Sequence, residues 1–131
     1  MANQWPTFVN TYNSLQQTFD LARLYFNDWD WDNLEPLLDK DVVLKRVSLP
    51  DPDDLVRKKT KVMKYLRAIT DHPNFGPTTK NIDPNLGVVS GNANWVDDNN
   101  AGGELIRYFF LFGQDNAGDW KILFIWGSAA L

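Results

Sequence analysis

The chain has 131 residues, 44% of them apolar and 14% aromatic, with a formal net charge of −4: too apolar for disorder and of a length for one domain. Basic and acidic residues are interspersed, so nucleic acid and anionic membrane surfaces are not expected partners. No Cys and a single His exclude disulfides, thiolate nucleophiles, thiolate zinc sites and multi-histidine centres within one chain, and neither a cofactor nor a metal is expected.

The opening residues, MANQWPTF, lack the charged and apolar regions of a signal peptide, and no apolar run approaches the ~20 residues of a membrane span. The expectation is a soluble, cytoplasmic domain covering residues 1–131. Phe8, Tyr12, Leu15, Phe19, Ala22 and Phe26 recur at helical spacing, with Pro6 suited to a first turn. Ser14 followed by Gln17 reads as a capping box, which predicts a break and a longer helix from about 15 to 27. Asn33 suits the N-cap of a short helix at 34–39, with Pro36 in its first turn.

VVLKRV (42–47) alternates as a strand. LPDPDD is a loop ending in an N-cap, Asp53 or Asp54, from which runs an amphipathic helix with Leu55, Val56, Lys59, Val62, Met63, Leu66 and Ile69 on one face. DHPNFGP stops that helix, and the period then changes to two. Strands are predicted at about 78–83, 87–97, 104–113 and 119–127, joined by DPNLG, DDNNAGG and DNAGD, all with turn chemistry. Helices, a strand, a helix and an antiparallel meander make an α+β fold with helices on one face of a curved sheet.

Alternation assigns the faces. Ile106, Tyr108, Phe110 and Phe112, Val89, Gly91, Ala93 and Trp95, and Trp120, Ile122, Phe124 and Trp126 are expected inward. The outward set mixes Asn92, Asn94, Arg107 and Lys121 with Phe109, Leu111, Leu123 and Ile125. That face is too apolar to leave in water, and a sheet-to-sheet homodimer would cover it; a solvated sheet with scattered aromatics is the other reading.

The order of elements, with WDNLEPLLDKDVVL joining the first helix to the first strand and DWKILFIWG closing the chain, resembles the NTF2-like cone, in particular its SnoaL-like and ketosteroid-isomerase-like branch. The resemblance runs from about residue 8 to 128. It implies a curved sheet wrapped around helices, an apolar pocket, and dimerisation through the outer sheet face. It also implies where isomerase chemistry would lie: a tyrosine donor at the position of Ala22, a carboxylate base at Arg46, a second donor near Tyr108, and a pocket aromatic at Trp126. Ala has no proton to donate and Arg stays protonated, so steroid isomerisation is rejected while the cavity is expected to persist.

The acidic run Asp28, Asp30, Asp32 and Asp39 resembles a calcium loop only superficially. Asn33 stands where such a loop needs Gly, Pro36 at its ninth position, and Asp39 where a bidentate Glu is required. A hinge is expected instead. The candidate polar site residues are Arg46 and Tyr108, within walls formed by Phe19, Ala22, Phe26, Leu44, Trp95, Phe110, Phe124 and Trp126. Arg46 could bind a carboxylate bidentately or stabilise developing anionic charge; it equally suits an edge residue reaching solvent or pairing with Asp20 or Asp28. Tyr108 could orient a carbonyl or hydroxyl, or be a core aromatic with a satisfied hydroxyl. His72 reads as a helix-end residue, and Asp97 and Asp98 as turn residues; as a general base, Asp20 and Asp28 are the available choices. The expected partner is a small apolar or weakly acidic organic ligand, and the expected chemistry, if any, is proton transfer in a cyclisation, dehydration or isomerisation. A non-catalytic interaction or ligand-carrier module with a cone filled by aromatics is the alternative.

Overall fold

Helix α1 runs without a break from Trp5 to Asn27 in the computed structural model, which describes residues 5–45, 55–69, 72–96 and 102–129. The predicted interruption at Ser14 does not occur. Its hydroxyl accepts the indole N–H of Trp120 at 2.8 Å, a tertiary tie rather than a cap. Leu15, Phe19, Ala22 and Phe26 are buried, the three-and-four spacing that presents one stripe of a helix to a core.

The end of α1 is a Schellman closure: the N–H of Asp30 donates to the Tyr25 carbonyl at 2.8 Å and that of Trp29 to Phe26 at 3.2 Å. The position that usually takes glycine is held by Trp29, at φ +58. Trp29 stays there because its ring packs edge-on against Trp31, at 6.1 Å between centroids. The chain then forms α2 (Trp31–Leu34) and a 3-10 turn (Glu35–Leu37), in place of the predicted 34–39 helix. Asp30, not Asn33, is the N-cap: its carboxylate accepts the Asn33 amide N–H at 3.4 Å and the Asn33 side-chain N–H at 2.6 Å. Arg67 pairs with Asp32 at 2.8 Å and Glu35 at 3.6 Å. Cap and clasp account for these carboxylates.

Strand β1 is Leu38–Lys45, β2 Leu55–Arg57, β3 His72–Asp83, β4 Val88–Val96, β5 Gly102–Gln114 and β6 Trp120–Ala129, with α3 at Lys59–Ala68 between β2 and β3. They form one curved, unclosed, mixed sheet in the order β2-β1-β6-β5-β4-β3. Only β1 against β6 is parallel among these pairings. The α+β cone is therefore the architecture, with departures before α3 and at the start of β3. Leu55 and Val56, expected on the helix, instead pair with Lys45 and Leu44 as a strand. Lys58, at φ +75, turns the chain into α3 and donates its N–H to Val42 at 2.9 Å. Strand β3 begins at His72 rather than 78, and it lies at the sheet edge, where Pro73 and Pro77 remove no needed ladder bond. There the side chain of Asn27 replaces a missing strand: it accepts the Phe75 N–H at 2.8 Å and donates to the Phe75 carbonyl at 3.0 Å.

The predicted faces hold on β4 and β5. Val89, Ala93, Ile106, Tyr108, Phe110 and Phe112 are all buried. On β6 they fail after Ile122. Leu111 pairs with Phe124 but Phe112 with Ile122, so Leu123 is an extra residue in the ladder and the alternation reverses beyond it. Ile125, expected outward, is buried, whereas Trp126 is 42% exposed. Phe124, expected inward, stands with Phe109 on the outer face, ring centroids 6.3 Å apart.

Candidate ligand site

A cavity of ≈ 50 Å³ lies between the sheet and α3. Ile106, Tyr108 and Phe110 of β5 and Ile125 of β6 form its sheet side; Phe26 of α1 and Phe75 of β3 close one flank. Tyr65, Leu66 and Ile69 of α3, with Leu44 and Lys45 of β1, close the other, and Trp126 and Gly127 complete the border. The amphipathic face of α3 thus serves core and cavity together. The space suits only a few heavy atoms, since one water needs about 10–15 Å³ on this measure.

Aromatic packing explains the size. The rings of Phe19 and Phe110 meet edge to face at 5.5 Å, Phe26 and Phe110 at 6.0 Å, and Phe75 and Tyr108 at 4.8 Å. Phe19 stacks on Tyr108 at 5.7 Å. Edge-to-face pairs each add about 0.5–1.5 kcal/mol beyond the area they bury, so the cluster is a rigid floor.

Tyr108 is the polar member of that floor. Its side chain is buried, and burial pushes its hydroxyl from the ordinary 10.0 up to about 12; the nearby positive charge of Arg23 pulls it down slightly and the negative charge of Asp20 pushes it up. At neutral pH the group is a hydrogen-bond donor, aimed by its packing between Phe19 and Phe75. Asp20 and Arg23, one helical turn apart on α1, form an ion pair at 3.0 Å between Arg23 Nε and Asp20 Oδ1, with Arg23 only 13% exposed. The arrangement can hold a small apolar group, donate a hydrogen bond to an oxygen atom and offset negative charge.

Of the residues expected at the site, Phe26, Leu44, Tyr108, Phe110 and Trp126 border the cavity. Phe19 and Ala22 are fully buried but do not border it. Phe124 is on the opposite sheet face. Arg46, Asp97 and Asp98 lie outside the described residues, as do the side chains of Trp95 and His72; the main chain of His72 pairs with Val96. Phe75 was hidden in a segment that reads as a helix stop. Arg23 was missed too, although its place three residues after Asp20 and beside Ala22 signals a paired cation turned toward the sheet.

No protein-family model matches the chain, and no curated protein matches it in sequence. Solved structures do match its fold. An NTF2-like protein with a cystatin-like fold from Novosphingobium aromaticivorans superposes with a TM-score of 0.69 at 10% identity, over 94% of this chain and 84% of that one. A protein of Xanthomonas campestris, provisionally named a polyketide cyclase, gives 0.65 at 13% identity over 92% and 93% of the two chains. A ketosteroid isomerase-like protein from Erwinia carotovora gives 0.65 at 11% over 92% and 96%. The chain has the NTF2-like fold that these structures share.

Proposed function

We propose that this NTF2-like chain is a SnoaL-like binding protein for a small, mostly apolar organic ligand, acting by proton-transfer chemistry in a cytoplasmic setting. One observation carries the reading: an apolar cavity bordered by a buried phenol whose hydroxyl stays protonated far above neutral pH. Tyr108 donates to a carbonyl or enolate oxygen, the group on which charge develops when a neighbouring C–H is deprotonated. Asp20 is the carboxylate nearest to this role on α1, and Arg46, directly after the cavity-bordering Lys45, supplies further positive charge. The names of the cyclase and isomerase-like neighbours agree with such chemistry. Native mass spectrometry, followed by denaturing analysis of the same sample, tests the reading. A retained small molecule supports it and identifies the ligand class; loss of that adduct in Arg46→Met, with the fold intact, assigns Arg46 as an anchor. Unchanged retention removes Arg46 from the site.

A second reading draws on a different observation. The ring cluster leaves little space, while Phe109, Leu111, Leu123, Phe124 and Trp126 make the outer sheet face apolar. In this reading the chain is a homodimeric interaction or carrier module without catalysis. Protein free of adduct that also fails to take up small ligands in titration favours it.

A further inference from the structure

Arg23 is 13% exposed and its Nε is committed to Asp20 at 3.0 Å. Among the described residues Arg23 makes no other hydrogen bond, so its two terminal nitrogens, with four N–H donors between them, have no partner among those residues. A guanidinium presents five donors in a fixed fork, and unmatched donors in a mostly buried place are costly. The helix fixes where this fork sits: one turn after Phe19, whose ring stacks on Tyr108 at 5.7 Å, and three residues before Phe26, which borders the cavity.

We infer that Arg23 and the Tyr108 hydroxyl form the anion-holding end of the ligand site, and that the ligand is a short-chain carboxylate whose hydrocarbon part occupies the cavity. The inference rests on reading the cavity as a ligand site. Planar, bidentate recognition is what a guanidinium fork does best for a carboxylate. The cavity, ≈ 50 Å³, limits the chain to about three to five heavy atoms at about 10–15 Å³ per water-sized unit. Asp20 neutralises one charge of Arg23, and a ligand carboxylate adds another negative charge. Lys45 on the cavity border offsets it. The influence of both Arg23 and Asp20 on the Tyr108 hydroxyl agrees with this placement.

The test compares butyrate with butyramide, which has the same number of heavy atoms and no charge, by amide and aromatic NMR chemical-shift titration of the full chain. Butyrate is expected to bind at least about tenfold more tightly than butyramide, the advantage of one charge-assisted bidentate contact. Arg23→Gln is expected to erase that advantage by weakening butyrate far more than butyramide, whose carbonyl loses only a neutral hydrogen bond, and Arg23→Lys to restore part of it. Equal affinities of butyrate and butyramide in the unaltered protein overturn the anchor while leaving the cavity as a ligand site. Binding of neither overturns both. Retention of the butyrate advantage in Arg23→Gln, with an unchanged amide spectrum elsewhere, moves the anchor to another cation and overturns the assignment.

Discussion

Tyr108 shows how the burial of one residue ties stability to pH. Its folded-state hydroxyl is raised from 10.0 to about 12 by burial. Below pH 10 folded and unfolded chains both hold the proton, so there is no pH-dependent term. As pH climbs through the unfolded value toward the folded one, the unfolded chain releases its proton while the folded chain keeps it. Linkage then stabilises the unfolded state, and folding stability falls over that window by an amount on the order of 2 kcal/mol for a shift of this size. Tyr108→Phe, which has no group to ionise, should lose stability less steeply than the parent between pH 10 and 12. Urea midpoints measured at several alkaline pH values check this; parallel curves for the two proteins would mean that Tyr108 ionises in the folded chain as easily as in the unfolded one. Asn27 makes a second case. Its two hydrogen bonds to the main chain of Phe75 stand in for a strand neighbour, so Asn27→Ala leaves part-buried donors and acceptors unmatched, at about 1–3 kcal/mol. Faster amide hydrogen exchange at Phe75, with protection of β5 unchanged, is the expected local signature. The role of Asn27 could not be read before the fold was known, because its partner Phe75 is far away in the chain. Tyr108 stood out as a candidate in the sequence, but the burial that raises its hydroxyl depends on distant residues such as Phe19 and Phe75.

At the scale of elements, tight turns and the insertion in β6 set which residues of the central strands face the core. Three glycines separate the physical causes. Gly87, at φ +70, would place a Cβ 2.2 Å from the main-chain oxygen of Phe112. That oxygen cannot move without disturbing the ladder, and the left-handed conformation itself costs about 1–2 kcal/mol. Gly118 has φ +84 but open space around it, and Gly113 would meet only the end of the Leu123 side chain, at 2.8 Å. Alanine substitutions should therefore destabilise in the order Gly87, then Gly118 near about 1 kcal/mol for the conformation alone, with Gly113 low because Leu123 can rotate away. Denaturation midpoints give the order directly; a Gly113 variant worse than the Gly87 variant would contradict it. Period-two patterning placed β4 and β5 correctly because their pairing is regular along that stretch. It failed on β6 because a bulge belongs to two strands at once, and nothing in WKILFIWG alone marks Leu123 as the surplus residue. The start of α3 was misjudged for a related reason. Leu55 and Val56 satisfy a helical stripe and a strand equally, and pairing with Leu44 and Lys45 decides between them.

For the whole molecule, the bulge divides the labour between the two faces of the sheet. By reversing the alternation after Ile122 it sends Ile125 to the cavity and turns Phe124 and Trp126 outward, where they face Leu111 and Phe109 across the strands. The outer face is consequently more apolar than the alternation implied, with Phe109, Leu111, Leu123, Phe124 and Trp126 grouped on neighbouring strands. Contiguous apolar surface of this kind is rarely left in water, and a stable association needs about 800 Å² from each partner, which two sheets meeting face to face can provide. The proposed homodimer can be tested without touching the cavity, because Phe124 does not border it. Phe124→Glu places a charge at the centre of the patch, where burial without a partner costs several kcal/mol. Sedimentation equilibrium should give a dimer of the 15.1 kDa chain for the parent and a monomer for the variant, with the far-ultraviolet spectrum preserved. Butyrate binding should survive in that monomer, since Tyr108 and Arg23 lie on the other side of the sheet. A variant that is still dimeric would place the interface elsewhere. Loss of butyrate binding on dissociation would instead show that the outer face holds the inner one in shape, coupling assembly to the site through Ile125.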